Sequence, residues 1–120
     1  MKAEHLQQGE RAEQQALDYL SRRGLKLVTQ NFSCKLGEID LIMQDHDALV
    51  FVEVRYRQSK DFGSALESIT TGKQRKLVAT ANLYLQKMQN DQPCRFDVVA
   101  LHGSGNSRMT WIKDAIQSSW

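Results

Sequence analysis

The sequence is short of the residues that build disulfide frameworks, zinc sites and membrane anchors. Its two cysteines, Cys34 and Cys94, lie far apart and form no CxxC motif, and its 3 histidines show no metal-ligand spacing. It has no run of about eighteen apolar residues, and its first residues, MKAEHLQQGERAEQQ, carry charges where a signal peptide needs an apolar core. We therefore expect a soluble, cytoplasmic protein with no disulfide, no structural zinc and no membrane partner.

The size and composition are those of an ordinary globular domain. The chain has 120 residues, of which 41% are hydrophobic and 25% are charged, and this balance argues against disorder and low-complexity scaffolds. Domains typically contain about 50 to 250 residues, so we expect a single domain over residues 1–120.

Charge is unevenly distributed along the chain although the net charge is only +2. Residues 25–54 contain five acids and two bases, whereas residues 55–76 contain six bases and two acids. A site that binds both a metal cation and a phosphate backbone needs such neighbouring charges. Two solvated faces of opposite sign are the alternative interpretation.

Hydrophobic periodicity predicts two helices and five strands in the order αβββαββ. The predicted helices run from His5 to Arg23 and from about Gly72 to Gln89. The predicted strands are Leu25 to Phe32, Ile39 to Met43, Leu49 to Val54, Arg95 to Leu101, and a short edge strand from Arg108 to Ile112. The second and third strands are close enough in sequence to form a hairpin.

The third predicted strand carries a glutamate inside an apolar run, Val50 to Val54. Such runs are typical of strands covered on both faces, where a charge is costly unless it is paired or binds a metal. Side chains alternate along a strand, so Glu53 and Arg55 point the same way, and the hairpin can bring Asp40 beside Glu53. These two carboxylates and the carbonyl of Val54 offer hard oxygen ligands to Mg²⁺ or Mn²⁺.

An ion pair is the alternative to a metal at this place. Arg55 could simply neutralise Asp40 or Glu53, although two acids and one base leave uncompensated negative charge. Glu38 directly follows Gly37 at the start of its strand, so we expect it to be exposed and not a ligand.

A third acid is expected from the first helix. At about 100° per residue, Glu13 falls within the inward arc that its apolar residues define. It could reach a metal through water. Alternatively, its stem packs on the rim of the core while its carboxylate reaches solvent.

The second predicted helix begins with a cluster of basic residues. Thr71 and Gln74 have the spacing of a capping box. Lys73, Arg75 and Lys76 lie near the helix N-terminus, where they oppose the macrodipole instead of complementing it. A bound phosphate would relieve that conflict, so we expect these residues to follow a nucleic-acid backbone.

Two motifs in the predicted hairpin resemble those of the YraN family of small bacterial proteins. They are Gly37-Glu38-Ile39-Asp40-Leu41-Ile42 and Phe51-Val52-Glu53-Val54-Arg55-Tyr56-Arg57. The resemblance covers nearly the whole chain, because it extends through Gly9, Glu13, Ala16, Leu20, Lys73-Gln74 and Arg95-Phe96-Asp97-Val98.

That family is similar to the PD-(D/E)XK nuclease superfamily, in particular to the archaeal Holliday-junction resolvases. The resemblance implies an α/β, restriction endonuclease-like fold, with a central mixed sheet of four or five strands flanked by helices. It also implies that Glu13 is the helix acid, Asp40 the metal-bridging aspartate and Glu53 the second metal ligand. Gln74 resembles a glutamine of RecB-like members, and the related resolvases are dimers, so a homodimer is expected.

Arg55 occupies the position where the superfamily has a lysine. Arginine can position water and stabilise a charged transition state, but it stays protonated and cannot accept a proton. Proton removal would then fall to water on the metal, or Lys73 could supply a displaced lysine from the second helix.

We therefore expect a Mg²⁺- or Mn²⁺-dependent endonuclease that hydrolyses phosphodiester bonds of structured or branched DNA. The expected catalytic residues are Glu13, Asp40, Glu53, Arg55 and Gln74. The residues expected to contact the nucleic-acid backbone are Arg57, Lys60, Lys73, Arg75 and Lys76. The first alternative is a non-catalytic DNA- or RNA-binding adaptor with a degenerate nuclease site. A second is an interaction module that uses an exposed sheet edge or the tail ending at Trp120.

Overall fold

The computed structural model describes residues 4–57, 67–103 and 108–117, with the side chains of residues 4–8 left out. Over these ranges, the order of elements is the predicted αβββαββ. The helices are α1 (Glu4–Arg22) and α2 (Thr71–Met88). The strands are β1 (Lys26–Cys34), β2 (Gly37–Asp45), β3 (Ala48–Arg57), β4 (Cys94–His102) and β5 (Arg108–Ile116).

The five strands form one mixed sheet in the order β1-β2-β3-β4-β5. Strands β3 and β4 are parallel, and every other neighbouring pair is antiparallel. A parallel pair needs a crossover connection, which contains α2 here. The predicted α/β class and five-stranded mixed sheet are confirmed, and the arrangement is consistent with a restriction endonuclease-like fold.

Each helix packs against the apolar side chains of one hydrophobic cluster in the sheet. The α1 cluster joins Ala12, Ala16 and Leu20 to Leu41, Met43, Val50 and Val52. The α2 cluster joins Leu77, Ala81 and Tyr84 to Ile42, Phe51, Phe96 and Val98. Burial from both sides explains why β3 reads as an almost continuous apolar run. Neither helix is long and apolar enough, in its described residues, to cross a membrane.

The last strand is longer than its sequence pattern predicts. It continues from Arg108 to Ile116 instead of ending at Ile112. Asp97 of β4 explains the extension, because its buried carboxylate accepts hydrogen bonds from the Trp111 indole at 2.9 Å and from the Asp114 backbone N–H at 2.9 Å. These contacts hold the end of β5 against β4, although the residues after Ile112 show no alternation of apolar and polar side chains.

The start of α2 also differs from the prediction. The capping residue is Thr70 and not Thr71, because the Thr70 hydroxyl accepts the backbone N–H of Lys73 at 3.2 Å. The side chain of Gln74 donates to the carbonyl of Ile69 at 3.0 Å instead of completing a capping box. Lys60 and the end of the tail, residues 118–120, fall outside the described residues.

Candidate active site

Strands β2 and β3 separate at the point where their charged residues face each other. Their registered pairs end at Leu41 with Val52, so Asp40 and Glu53 are the next residues in opposition. The backbone N–H of Val54 then donates to Asp40 Oδ2 at 2.8 Å, which replaces a ladder bond between the strands. We call this opening the fork, with Asp40 and Glu53 as its two carboxylates.

The two fork carboxylates are held close together and largely away from water. Glu53 is only 6% exposed, and its side chain shares a hydrogen bond with that of Asp40. Burial raises the pKa of Asp40 well above its ordinary value, and the hydrogen bond and charge of Glu53 raise it further. The Val54 N–H and the charge of Lys73 act in the opposite direction. Without a cation, the fork therefore favours a proton on Asp40.

Two cations contact the same oxygen of Glu53. Arg55 Nη2 lies 3.3 Å from Glu53 Oε2, and Lys73 Nζ lies 3.7 Å from it. Glu53 and Arg55 thus point the same way along β3, as predicted, and the ion pair weighed from the sequence is present. Arg55 Nε is buried and has no hydrogen-bond partner among the described residues.

Glu13 approaches the fork from α1, through a contact that the sequence did not predict. With its amide nitrogen facing the acids, Asn31 donates to Glu13 Oε1 at 2.7 Å and to Glu38 Oε1 at 3.2 Å. Asn31 adopts a left-handed backbone conformation with φ 55°, which asparagine tolerates better than most residues. An asparagine inside a predicted strand was the available signal for this contact.

The environment of Glu13 is unfavourable for negative charge. Burial raises the pKa of Glu13 from 4.5 to about 7, with further contributions from the charges of Asp40, Glu38 and Glu10. The predicted third acid therefore lies within electrostatic range of the fork. Glu38 is exposed, as expected, although it also lines the space in front of the fork.

A cleft of about 470 Å³ separates the fork from the first turns of α2. Its lining combines acids of the hairpin with bases and backbone of the helix: Gly37, Glu38, Asp40, Glu53, Thr70, Gly72, Lys73, Lys76 and Leu77. Gly37 allows this close approach, since a Cβ there would lie 3.0 Å from Thr80 Oγ1. The acidic and basic segments of the sequence thus meet across one cleft.

Other predicted site residues lie beside this cleft without lining it. Gln74 and Arg75 line a second hollow of about 450 Å³, together with Val78, Asn82 and Gln117. Arg57 is half-buried at the end of β3 and donates to the Tyr56 carbonyl at 3.3 Å. Lys60 is outside the described residues, so the structure does not locate it.

The fork offers oxygen donors of the kind that Mg²⁺ and Mn²⁺ prefer. In a strand, the N–H and C=O of one residue point to the same side. Because the Val54 N–H donates to Asp40, the Val54 carbonyl also points toward Asp40. No group of three or more His, Cys, Asp or Glu side chains is arranged to hold a metal within the described ranges. The expected set needs only two such side chains and the carbonyl, and a divalent cation would relieve the repulsion between the buried Glu53 and the half-buried Asp40. The residues present therefore fit the ion.

Comparison with known sequences identifies the family. The profile of the Uncharacterised protein family UPF0102 matches residues 12–101. A UPF0102 protein of Nitrosococcus oceani is 50% identical over 118 residues, which cover 96% of this chain and 95% of the relative. A UPF0102 protein of Janthinobacterium sp. (strain Marseille) is 53% identical over 110 residues, which cover 92% and 87% of the two chains. This agrees with the resemblance of the hairpin motifs to YraN proteins, and the chain belongs to family UPF0102.

Proposed function

We propose that this protein is a Mg²⁺- or Mn²⁺-dependent endonuclease that hydrolyses phosphodiester bonds in structured or branched DNA. The observation that carries the proposal is the pair of fork carboxylates, Asp40 and Glu53, which face a cleft with lysines on its opposite wall. Buried acids that oppose one another are costly to the fold unless a cation or a proton joins them. Their position at the end of a paired hairpin, facing the cleft, supports a chemical role.

The proposed roles follow from the position of each group. Asp40, Glu53 and the Val54 carbonyl hold the cation, and Asn31 keeps Glu13 beside them as an outer acid. When bound, the cation supplies Lewis-acid chemistry by lowering the pKa of a water molecule and offsetting phosphate charge. Arg55 orients the Glu53 carboxylate through their 3.3 Å contact.

The reaction is an in-line displacement at phosphorus. A bond forms between the water oxygen and phosphorus while the bond from phosphorus to one sugar oxygen breaks. One proton of the water passes to solvent, and the departing sugar oxygen takes up a proton. Positive side chains in the cleft stabilise the charge that develops on the phosphate oxygens.

The nucleic acid is proposed to lie along the cleft and across the N-terminus of α2. Lys73 and Lys76 line the cleft, and the free N–H groups of a first helical turn favour an anion there. Arg57, Lys60 and Arg75 are proposed to contact the flanking backbone, without reading bases. The resemblance to archaeal Holliday-junction resolvases supports branched DNA as substrate, and two-fold assembly into a homodimer suits the cutting of both strands of a junction.

A non-catalytic DNA- or RNA-binding adaptor is the second candidate. The observation that favours it is Arg55, since arginine stays charged and already forms an ion pair with Glu53. An adaptor would bind nucleic acid in a salt-dependent manner that survives chelation of metal.

The test is a gel assay on duplex, single-stranded, flap and four-way-junction DNA with Mg²⁺, Mn²⁺ or EDTA. We expect wild-type protein to cut with metal, most efficiently on branched DNA, and Asp40→Ala to bind the same DNA without cutting it. Asp45→Ala is the matched control, because Asp45 pairs with Arg95 away from the cleft. Cutting by Asp40→Ala at the wild-type rate would rule out the proposed site. Binding without cutting under every metal would support the adaptor instead.

A further inference from the structure

Lys73 differs from the other basic residues near the cleft in what it contacts. It is the only described lysine that forms an ion pair with Glu53, at 3.7 Å, although it lies on α2 and Glu53 lies on β3. Its charge also acts on Asp40, where it opposes the effect of burial. A single ammonium group thus influences both fork carboxylates from across the cleft.

Arg55 is less well placed than Lys73 to meet a phosphate in the cleft. The Arg55 side chain is 16% exposed and is absent from the cleft lining, whereas the Lys73 side chain is 45% exposed and belongs to it. The guanidinium of Arg55 also donates a hydrogen bond to Glu53 through Nη2. The cation that a phosphate in front of the fork would meet is therefore the one from the helix.

We infer that Lys73 is a catalytic residue of the proposed reaction. Its ammonium group, delivered from α2, contacts a phosphate oxygen as the new bond from the water oxygen to phosphorus forms. It stabilises the negative charge that grows on that phosphate oxygen as the old bond breaks. No step requires Lys73 to lose its proton. The inference rests on the proposed endonuclease function and gives Lys73 the charge-stabilising role that the resemblance to PD-(D/E)XK nucleases implies for Arg55.

Lys76 provides the comparison that separates catalysis from simple attraction of DNA. It lies on the same helix and lines the same cleft, but it forms no ion pair with a fork carboxylate among the described residues. A residue that only attracts the DNA backbone contributes equally to substrate and transition state, so its loss raises KM and leaves kcat intact. A residue that acts on developing charge affects kcat.

The experiment measures KM and kcat of DNA cleavage, together with Mn²⁺ binding, for wild-type protein and four variants. The variants are Lys73→Met, Lys73→Arg, Lys76→Met and Lys87→Met. Lys87 is exposed in the last turn of α2 and serves as the control that should behave as wild type. Thermal unfolding of each variant verifies the fold, which the exposed side chain of Lys73 should not affect.

We expect Lys73→Met to lower the cleavage rate constant about 100-fold, as the loss of one preorganised charge donor does in other active sites. Lys73→Arg should retain activity within about tenfold because it keeps the charge, and Lys76→Met should raise KM by about threefold or more with kcat retained. Lys73→Met should also tighten Mn²⁺ binding by about three- to tenfold, because a positive charge beside Glu53 is removed.

The results test the role of Lys73 separately from the proposed endonuclease function. If wild-type protein cuts DNA and Lys73→Met keeps kcat within about threefold, the role of Lys73 is wrong while the endonuclease proposal stands. Unchanged Mn²⁺ affinity in Lys73→Met would likewise overturn the placement of its charge at the fork. If wild-type protein cuts no substrate with any metal, the proposed function fails and the inference fails with it.

Discussion

Glu13 is the residue whose ionisation depends most clearly on its neighbours. Burial, followed by the charges of Asp40, Glu38 and Glu10, raises its pKa from 4.5 to about 7. Between these two pH values the folded chain keeps a proton that the unfolded chain releases. The free energy of unfolding that this proton contributes is complete below the lower value and is lost as pH rises through about 7.

Replacing Glu13 by glutamine should therefore stabilise the metal-free protein at high pH only. We expect Glu13→Gln to raise the free energy of unfolding by about 1 kcal/mol at pH 8, less than the full pKa shift implies because the side chain is partly in solvent. At pH 4 the two proteins should be equally stable. Urea denaturation in EDTA at both pH values measures this, and an equal difference at both would contradict the assigned cause.

At the scale of elements, one buried carboxylate reinforces the backbone pairing of β5 with β4. Asp97 is fully buried and accepts hydrogen bonds from the Arg95 guanidinium at 3.0 Å, the Trp111 indole and the Asp114 N–H. Arg95 also contacts Asp45 at 2.9 Å, so the network extends to the end of β2. The Asp97 side chain thus holds two residues of β5, Trp111 and Asp114, by hydrogen bonds.

Removal of that carboxylate should destabilise the fold strongly. We expect Asp97→Ala to lower the free energy of unfolding by about 3 to 5 kcal/mol, because it leaves the half-buried Arg95 guanidinium with one acid fewer and orphans two N–H donors. Asp45→Ala, which removes contacts with Arg95 and His46 nearer the surface, should cost about 1 kcal/mol or less. Urea denaturation compares the two, and equal losses would mean that Asp97 does not anchor β5.

The start of α2 can be tested in the same way. We expect Thr70→Ala to lower the free energy of unfolding by about 1 kcal/mol, since the hydroxyl that accepts the Lys73 N–H is lost. Thr71→Ala, one residue later, should change it by only a few tenths of a kcal/mol. Urea denaturation of the two variants shows which threonine caps the helix. A larger loss of unfolding free energy for Thr71→Ala would support the capping residue predicted from the sequence.

The elements that could be predicted from the sequence are those that depend on residues close together in the chain. Alternation and apolar runs predicted the hairpin and placed Asp40 beside Glu53, because a strand has a fixed side-chain period. The extension of β5 depends on Asp97, which is distant in sequence, and the choice of Thr70 over Thr71 depends on a backbone turn. The contact of Asn31 with Glu13 joins β1 to α1, and no local pattern encodes it.

At the scale of the whole molecule, folding places an acidic hairpin against a basic helix start. The lining of the cleft holds Glu38, Asp40 and Glu53 on one wall and Lys73 and Lys76 on the other. Such a surface suits the proposed phosphate backbone and divalent cation together, whereas a surface with charge of one sign would repel one of them.

Binding of DNA should therefore depend on salt through a small number of lysine contacts. In EDTA, we expect Lys76→Met to reduce the slope of log affinity against log salt concentration by about one unit, as the loss of one phosphate contact does. Lys87→Met, on the exposed last turn of α2, should leave the slope unchanged. Fluorescence anisotropy over a series of salt concentrations measures both. An unchanged slope for Lys76→Met would show that this lysine does not contact the DNA backbone.

The central claim is that the fork holds a divalent cation, and titration calorimetry with Mn²⁺ tests it most directly. Asp40→Asn preserves the shape of the side chain and an acceptor for the Val54 N–H while removing the charge. We expect wild-type protein to bind Mn²⁺, Asp40→Asn to lose at least about tenfold in affinity, and Asp45→Asn to bind as the wild type does. Equal Mn²⁺ affinity in wild type and Asp40→Asn would contradict it.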